Sequence, residues 1–214
     1  MRVGILGTGD VGRALGNGFV ALGHEVKMGS RSASNDKASS WAKDAGAKAS
    51  NGTFASVAEW AELVVLCTLG AANPAVLEAA GPKNLAGKIL IDATNPLDMS
   101  KGFPPTLALG HTDSGGEQVQ RLAPEAKVVK AFNSVGNSLM FQPKLPGGPP
   151  TMFIAGNDDG AKAQVSTLLG EFGWETLDAG GIESSRYLES LCMIWVLHGA
   201  KSGGWTHAFK MLHG

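Results

Sequence analysis

The sequence predicts an α/β fold in which a doubly wound, mostly parallel sheet is followed by a small C-terminal helical cap. Three observations lead to this prediction. A short apolar strand near the N-terminus runs into a turn with glycines at positions 7, 9 and 12, and segments of strand and helix character then alternate along most of the chain. Beyond Gly181 the chain becomes strongly apolar with helical spacing. Alternating strands and helices are typical of a parallel sheet that is covered by helices on both faces.

The first strand, turn and helix carry the most informative local pattern. Val3, Ile5 and Leu6 precede the glycines, and apolar residues at helical spacing follow them as far as Leu22. Glycines at these positions allow the tight turn, the approach of the backbone to a pyrophosphate, and the packing of the helix on the strand. A dinucleotide site of the Rossmann type is therefore predicted at the helix N-terminus, and a merely structural glycine turn is the alternative.

The remaining elements follow from apolar periodicity, buried apolar runs and turn signals. Helices are predicted over residues 36–45, 55–61, 73–80, 158–172 and 184–197, with a further helix beginning at Ser114 and one more over residues 203–212. Strands are predicted over residues 25–28, 63–67, 88–93, 127–132, 151–155 and 174–177. One loop is predicted over residues 97–116, and the further helix begins near its end, at Ser114. A second loop is predicted over the proline-rich residues 141–150. Residues 1–180 are thus predicted to form the dinucleotide-binding domain, and residues 181–214 the cap.

The end of the second strand indicates which dinucleotide is bound. NAD-binding sites usually carry Asp or Glu there to hold the ribose hydroxyls, whereas this chain has Gly29, Ser30 and Arg31. A hydroxyl and a guanidinium favour the 2′-phosphate of NADP, and each charged hydrogen bond is worth about 1.5–3 kcal/mol. Lys37 adds a more distant positive charge. The sequence therefore predicts NADP, and an ordinary surface arginine is the alternative interpretation of Arg31.

Composition and charge exclude several classes of function. The chain has 214 residues, of which 43% are hydrophobic, and a formal net charge of −1. No basic stripe or run of like charges favours a nucleic acid or a membrane surface as a partner. The longest apolar runs, such as residues 63–67, have the length of strands and are too short to span a bilayer. Because the first strand begins next to Met1, no signal peptide is expected, and a cytoplasmic protein is predicted.

The cysteines and histidines do not predict a metal or redox centre. Cys67 and Cys192 are far apart in the sequence and are expected to be reduced, buried residues. The chain has five histidines, and the spacings of His198, His207 and His213 place no two of them on one face of a helix. We therefore expect no metal site.

The usual proton-transfer groups of dehydrogenases are missing, and no catalytic residue is assigned. The single tyrosine, Tyr187, is followed four residues later by Leu191, which excludes the tyrosine–lysine pair of short-chain dehydrogenases. Lys201 is a nominal candidate for a catalytic lysine, but the segment around it is too short to build the helical domain that such a lysine needs. Hydride transfer between two flat redox rings requires stacking and exclusion of water more than a titrating side chain, and this chemistry is predicted.

These motifs resemble those of the NADP-dependent coenzyme F420 oxidoreductases, in which the coenzyme is a deazaflavin. The chain also resembles the cytosolic domain of the STEAP metalloreductases, which shares that fold. The resemblance covers nearly the whole chain and is carried by short motifs at residues 7–12, 29–31, 128–134, 155–158, 177–180 and 186–189. In the last of these, Arg186 and Glu189 match the arginine-to-glutamate pattern that opens the C-terminal helix of the family.

The resemblance implies a set of cofactor-binding residues and a reaction. The residues are Gly7, Thr8, Gly9, Asp10, Val11 and Gly12 at the pyrophosphate, Ser30 and Arg31 at the 2′-phosphate, Leu69 and Asn73 along the path from adenosine to ribose, and Asn95, Pro96 and Asn137 near the nicotinamide, with Asn133 as a further cofactor-binding residue. The reaction is hydride transfer between NADP(H) and coenzyme F420, a small-molecule acceptor. A homodimer is also implied, and the apolar helix 184–197 is its predicted interface.

Two departures from the family pattern leave the acceptor open. Residues 132–134 are closer to the metalloreductase branch, and residues 203–210 match no acceptor-binding motif. NADPH-dependent reduction of FMN, FAD or ferric iron is therefore one alternative, and a non-catalytic NADP-binding redox sensor is another. Trp195 and Trp205 are candidates for an acceptor contact, but aromatic residues on apolar helices favour a core or a dimer interface.

Overall fold

The structure is a computed structural model that describes residues 1–212. Most of its strands join one eight-stranded sheet, and two short strands form a separate hairpin. The strands of the sheet are β1 (Arg2–Leu6), β2 (Glu25–Ser30), β3 (Ala49–Thr53), β4 (Leu63–Leu66), β5 (Ile89–Asp92), β8 (Lys127–Lys130), β9 (Thr151–Gly156) and β10 (Glu175–Asp178), and the hairpin consists of β6 (Leu97–Asp98) and β7 (Thr106–Leu107).

The helices cover both faces of this sheet. They are α1 (Asp10–Ala21), α2 (Asp36–Ala45), α3 (Phe54–Trp60), α4 (Asn73–Ala80), α5 (Pro82–Leu85), α6 (Gly115–Leu122), α7 (Asp159–Glu171) and α8 (Ser185–Ser202). Successive residues of β1 point to opposite faces, so Ile5 packs in one core cluster with Leu15 of α1, while Leu6 packs in the other with Val76 of α4. Burial of apolar side chains on both faces therefore fixes the strands at the centre of the molecule.

The strand order is β3-β2-β1-β4-β5-β8-β9-β10. The first six strands in this order are parallel, β9 is antiparallel to β8, and β10 is parallel to β9. The predicted doubly wound, mostly parallel sheet is thus confirmed. The chain reverses its direction of winding between β1 and β4, and doubly wound sheets bind ligands beyond the carboxyl ends of the strands at such a point.

Two differences from the predicted elements lie early in the chain and around the hairpin. β3 was not predicted, because its sequence Ala-Ser-Asn-Gly-Thr lacks alternating apolar residues and it is held at the sheet edge by pairing with β2. Residues 97–116 were predicted to be a loop before the helix at Ser114, whereas part of this stretch forms the β6–β7 hairpin. Ser114 itself is the N-cap of α6 and accepts a hydrogen bond from the Glu117 N–H at 3.1 Å.

The predicted helix over residues 203–212 is wrong. α8 continues beyond the predicted end at residue 197, and Gly203 ends it with a φ of +69°, a conformation that glycine adopts without strain. The chain then runs back beside β9, where the Thr151 N–H donates to the Phe209 carbonyl oxygen at 2.8 Å. The Met211 N–H donates to Thr151 Oγ1 at 3.0 Å. These long-range hydrogen bonds replace the local ones that a helix would supply.

Candidate functional site

A cavity of about 950 Å³ lies at the carboxyl ends of β1, β2 and β4. Its volume is typical of a site for a cofactor. The predicted residues that line it are Gly7, Thr8, Gly9, Asp10, Val11, Ser30, Arg31, Leu69 and Asn137. The other predicted residues, Gly12, Asn73, Asn95, Pro96 and Asn133, lie outside the lining and are described below.

Three glycines have different parts in the turn between β1 and α1. Gly7 has a φ of +140°, and a Cβ there would be 2.7 Å from the Cys67 carbonyl oxygen. A Cβ at Gly12 would be 2.5 Å from the Gly7 carbonyl oxygen, so the bare backbone lets α1 pack against the turn. At Gly9 a Cβ would meet nothing within 4 Å, because this residue faces the cavity. The turn therefore leaves an open cradle where the helix begins.

The N-terminus of α1 is suited to an anion. Gly9 is its N-cap residue and makes no side-chain hydrogen bond to the first turn. The N–H groups of that turn therefore remain free to bind a ligand, and the helix dipole favours a negative charge there. The nearby N-terminus of α2 is already capped, because the side chain of Asn35 accepts a hydrogen bond from the Ala38 N–H at 3.0 Å.

Ser30 and Arg31 lie together on the cavity wall at the end of β2. Ser30 is 5% exposed, and its hydroxyl is held by Ser32, whose N–H donates to Ser30 Oγ at 3.3 Å. Arg31 is exposed, so its guanidinium is free to turn toward a ligand. Within the described chain, Asp10 is the one carboxylate among the lining residues. The electrostatics at the end of β2 thus favour a phosphate over a ribose diol.

The apolar wall of the cavity was not predicted from the sequence. It is formed by Phe54 at the start of α3 and by Ala72, Ala75 and Val76 around α4. Leu69 stands beside them with 82% of its surface exposed. Apolar residues at the start of a helix give no functional signal, since core packing requires the same residue types. They belong to the site because they lie beyond the carboxyl ends of the strands, where the winding of the sheet reverses between β1 and β4.

Asn73 connects the loops behind the cavity instead of lining it. Its side chain is 1% exposed, accepts a hydrogen bond from Thr68 Oγ1 at 3.0 Å and donates one to Thr94 Oγ1 at 2.7 Å. Thr94 donates in turn to Asp92 Oδ1, from its N–H at 2.9 Å and from its hydroxyl at 2.7 Å. Because Thr68 lines the cavity, this chain of hydrogen bonds links the cavity wall to a buried carboxylate.

Asn95 and Asn133 join the loops that follow β5 and β8. Asn95 Nδ2 donates to the Asn133 carbonyl oxygen at 2.8 Å, and Asn133 Nδ2 donates to Asn95 Oδ1 at 3.0 Å and to the Leu188 carbonyl oxygen at 2.9 Å. Phe132 has a φ of +63°, an uncommon value for a bulky side chain, and so stores backbone strain next to this junction. Pro96 is buried beside Asn95. These residues fix the loops that lead to Asn137 on the cavity wall.

A buried ion cluster lies below these loops and was not predicted. Lys130 Nζ is 2.9 Å from Asp92 Oδ2 and 2.7 Å from Glu189 Oε1, and the three side chains are 0%, 0% and 1% exposed. Burial lowers the pKa of Lys130, but the negative charges of Asp92 and Glu189 outweigh it and raise the pKa above its ordinary value. The lysine therefore stays charged inside the protein.

The arginine-to-glutamate pattern of α8 attaches this helix to α6. Arg186 Nε donates to Glu117 Oε2 at 2.8 Å. The carboxylate of Glu189 accepts hydrogen bonds from the N–H groups of Gly115 and Gly116, both at 3.0 Å. A carboxylate at a helix N-terminus is stabilised by the free N–H groups and by the dipole. Glu189 thus accepts hydrogen bonds from the N-terminus of α6 and also pairs with Lys130 of β8.

Cys67 lies beneath the glycine turn, and burial raises the pKa of its thiol to about 12. In the unfolded chain the thiol ionises near its ordinary pKa of 9.0, so the free energy of unfolding falls as the pH rises between these values. The expected slope is about 1.4 kcal/mol per pH unit. We expect Cys67→Ala to lower the measured slope by this amount, while Cys192, whose pKa burial raises to about 11, keeps its own contribution. The slopes are measured by urea unfolding between about pH 8 and 11. Equal slopes for the two proteins would contradict the assignment.

The C-terminal segment brings together side chains that the sequence spacing had placed apart. Trp195 is 8% exposed, as expected for a core residue, and its ring stacks on His207 with 4.8 Å between the centroids. The rings of His198 and His207 are 4.5 Å apart. Helical spacing does not apply to this pair, because the chain reverses after α8 and no continuous helix joins the two residues. His213 lies outside the described residues.

Two features of the described chain bear on its partners. Among residues 1–212, no group of three or more metal-ligating side chains occurs. Over the same residues, no helix combines the length and the hydropathy needed to cross a bilayer. α8 exposes Tyr187, Ile194 and Leu197 to solvent on the predicted dimer face, and the homodimer stays a prediction.

Proteins of known family match both the sequence and the fold. Residues 2–96, which include the glycine turn and the ends of β2 and β4, match the family described as NADP oxidoreductase, coenzyme F420-dependent. The crystal structure of a candidate F420-dependent NADP reductase from Arthrobacter sp. FB24 is 43% identical over 100% of both chains, with a TM-score of 0.94.

Two curated relatives extend the match beyond residue 96. The F420-dependent NADP reductase of Methanothermobacter marburgensis is 29% identical over 89% of this chain and 89% of its own length. The metalloreductase STEAP3 of Rattus norvegicus is 31% identical over 89% of this chain, which spans only 36% of that protein. The prediction of an NADP-linked oxidoreductase is confirmed at the level of the family. The chain belongs to the family of coenzyme F420-dependent NADP oxidoreductases.

Proposed function

We propose that the cavity binds NADP(H) and that the protein transfers hydride between NADP(H) and the deazaflavin ring of coenzyme F420. The observation that carries the proposal is the position of Ser30 and Arg31, which share a cavity with the free N-terminus of α1. When bound, NADPH supplies the hydride from C4 of its nicotinamide ring. The residues described above bind and orient the cofactor.

The pyrophosphate belongs at the turn that begins α1. The open cradle at Gly9 leaves room for phosphate oxygens, and the N–H groups of the first turn, with Thr8, supply the donors. The adenine belongs against the apolar wall, where Phe54, Leu69 and Val76 offer flat and branched apolar surfaces. The 2′-phosphate then meets Ser30 and Arg31 at the end of β2.

The nicotinamide half belongs near Asn137, and it requires no titrating side chain there. The titratable groups among the described lining residues are Asp10, Arg31 and Cys67, and the raised pKa of Cys67 keeps its thiol protonated. Hydride transfer between two rings is governed by distance, orientation and exclusion of water. The asparagine junction between the β5 and β8 loops supports this geometry by holding the walls of the site in place.

Arg31→Ala tests the phosphate assignment. We expect the variant to bind NADPH about tenfold to a hundredfold more weakly, because it loses charged hydrogen bonds to the 2′-phosphate, and to bind NADH with unchanged affinity. Both affinities are measured by fluorescence titration of the nicotinamide. Lys37→Ala is the matched control and should have a smaller effect. Equal losses for NADPH and NADH in Arg31→Ala would refute a 2′-phosphate site at this residue.

Anaerobic oxidation of NADPH by the purified protein tests the acceptor. F420, FMN and FAD are compared in parallel, with NADH in place of NADPH as the control. We expect turnover with F420 and NADPH. Turnover with FMN or FAD alone would move the protein to the flavin or ferric reductase alternative, which the similarity to STEAP3 favours. NADPH binding without turnover on any acceptor would favour the redox sensor.

A further inference from the structure

Phe103 and Trp205 form an exposed pair of aromatic rings, here named the aromatic corner, which the NADP site does not use. Phe103 lies in the loop that connects β6 to β7 and is 58% exposed. Trp205 follows α8 and is 41% exposed. Their ring centroids are 6.3 Å apart and their planes are 69° from parallel. Two rings at a steep angle give an L-shaped apolar surface that suits a flat molecule.

The aromatic corner is held rigidly from behind. The ring of Trp205 packs over Gly199, where any Cβ would clash with it, and its centroid is 5.3 Å from that of Trp195. Trp195 Nε1 donates to the His207 carbonyl oxygen at 2.8 Å, and His207 Nε2 lies 3.0 Å from the Trp195 carbonyl oxygen. Trp205 was expected in a core or a dimer interface; at 41% exposed it does not lie in the core, and its place in an interface stays a prediction.

Two contacts join the segments that carry the aromatic corner to loops beside the cavity, on the side where the nicotinamide is proposed to lie. A Cβ at Gly136 would be 3.1 Å from the Trp195 ring and 3.5 Å from the Trp205 carbonyl oxygen, and the next residue, Asn137, lines the cavity. On the other side, the Ala108 N–H donates to the Pro96 carbonyl oxygen at 2.7 Å, which ties the hairpin to the loop after β5. The corner is therefore continuous with the loops that bound the cofactor site.

We infer that the aromatic corner binds the flat tricyclic ring that deazaflavins and flavins share, and that this ring is the hydride acceptor. The inference rests on the proposed function, because an acceptor ring must lie against the nicotinamide. Fixed aromatic side chains bind such a ring with little loss of conformational entropy, and they keep water from it. Among the aromatic pairs of the described chain, this is the one in which both residues are exposed.

Calorimetric titration of the NADP⁺-loaded protein with oxidised F420, and separately with FMN, tests the inference without turnover. We expect Phe103→Ala and Trp205→Leu each to weaken binding of the ring about tenfold and to leave NADP⁺ affinity unchanged. Trp205→Phe should restore most of the affinity. Tyr187→Ala is the control, because this exposed aromatic residue lies on α8 about 18 Å from Gly199 along the helix.

The outcomes separate this inference from the proposed function. Unchanged F420 affinity in both Phe103→Ala and Trp205→Leu would overturn the aromatic corner and leave the proposed function standing. Wild-type protein that binds neither F420 nor FMN would overturn both. Phe103→Ala keeps the test valid if Trp205→Leu lowers the melting temperature, because Phe103 is more than half exposed.

Discussion

Lys130→Met is expected to destabilise the protein by about 3–5 kcal/mol, because it leaves two buried carboxylates without their shared cation. Asp92 and Glu189 are 0% and 1% exposed, so neither can recover the lost interaction from water. For a chain of this size the melting temperature should fall by roughly 6–20 °C. Differential scanning calorimetry near neutral pH measures the change directly.

Lys127→Met is the matched control on the same strand. Lys127 pairs with Asp158 at 3.1 Å, and the two side chains are 45% and 35% exposed. Water screens such a pair, so its loss should cost less than about 1 kcal/mol. Similar melting temperatures for Lys127→Met and Lys130→Met would show that the buried cluster contributes no more than a surface pair.

Gly9→Val is expected to weaken cofactor binding with little effect on stability, whereas Gly12→Ala is expected to lower stability. Gly9 has φ −78° and ψ −177°, which valine adopts readily, and its Cβ position is open. The folded variant should lose NADPH affinity at least about a hundredfold, since the side chain occupies the pyrophosphate space and blocks two or more charged hydrogen bonds. Its melting temperature should change by only a few degrees.

Gly12→Ala acts through packing. Its new Cβ meets the Gly7 carbonyl oxygen at 2.5 Å and Cys67 Sγ at 3.0 Å, so the turn and α1 must move apart. We expect a loss of about 1–3 kcal/mol in the free energy of unfolding, measured by urea denaturation without cofactor. If Gly9→Val is the less stable variant and still binds NADPH, the separation of the two roles is incorrect.

Local signals made much of the sheet and its helices predictable. The helices at residues 36–45 and 73–80 coincide with α2 and α4, because an asparagine cap begins the first and Pro74 lies in the first turn of the second. β3 and the segment after α8 carry no such signals. Both are held by backbone hydrogen bonds to distant strands, and those partners are absent from any local window.

The residues of the candidate site also differ in how far the sequence could predict them. The glycine turn and Arg31 were predicted because each is chemically distinctive at a fixed offset from a strand. Asn73, Asn95 and Asn133 were assigned to the cofactor, yet their side chains bond mainly to other loops. Lys130 joins partners that are 38 and 59 residues away, and no spacing rule connects positions so distant.

The place of Glu189 in the chain has a consequence for synthesis on the ribosome. Residues 1–130 supply the strands up to β8 and carry Lys130 into the sheet with only Asp92 to balance its charge. The second carboxylate, which also bonds to the N-terminus of α6, emerges 59 residues later. We therefore expect the nascent chain to hold this end of the sheet open until α8 has left the exit tunnel. Completion of the buried ion cluster would then follow the synthesis of α8.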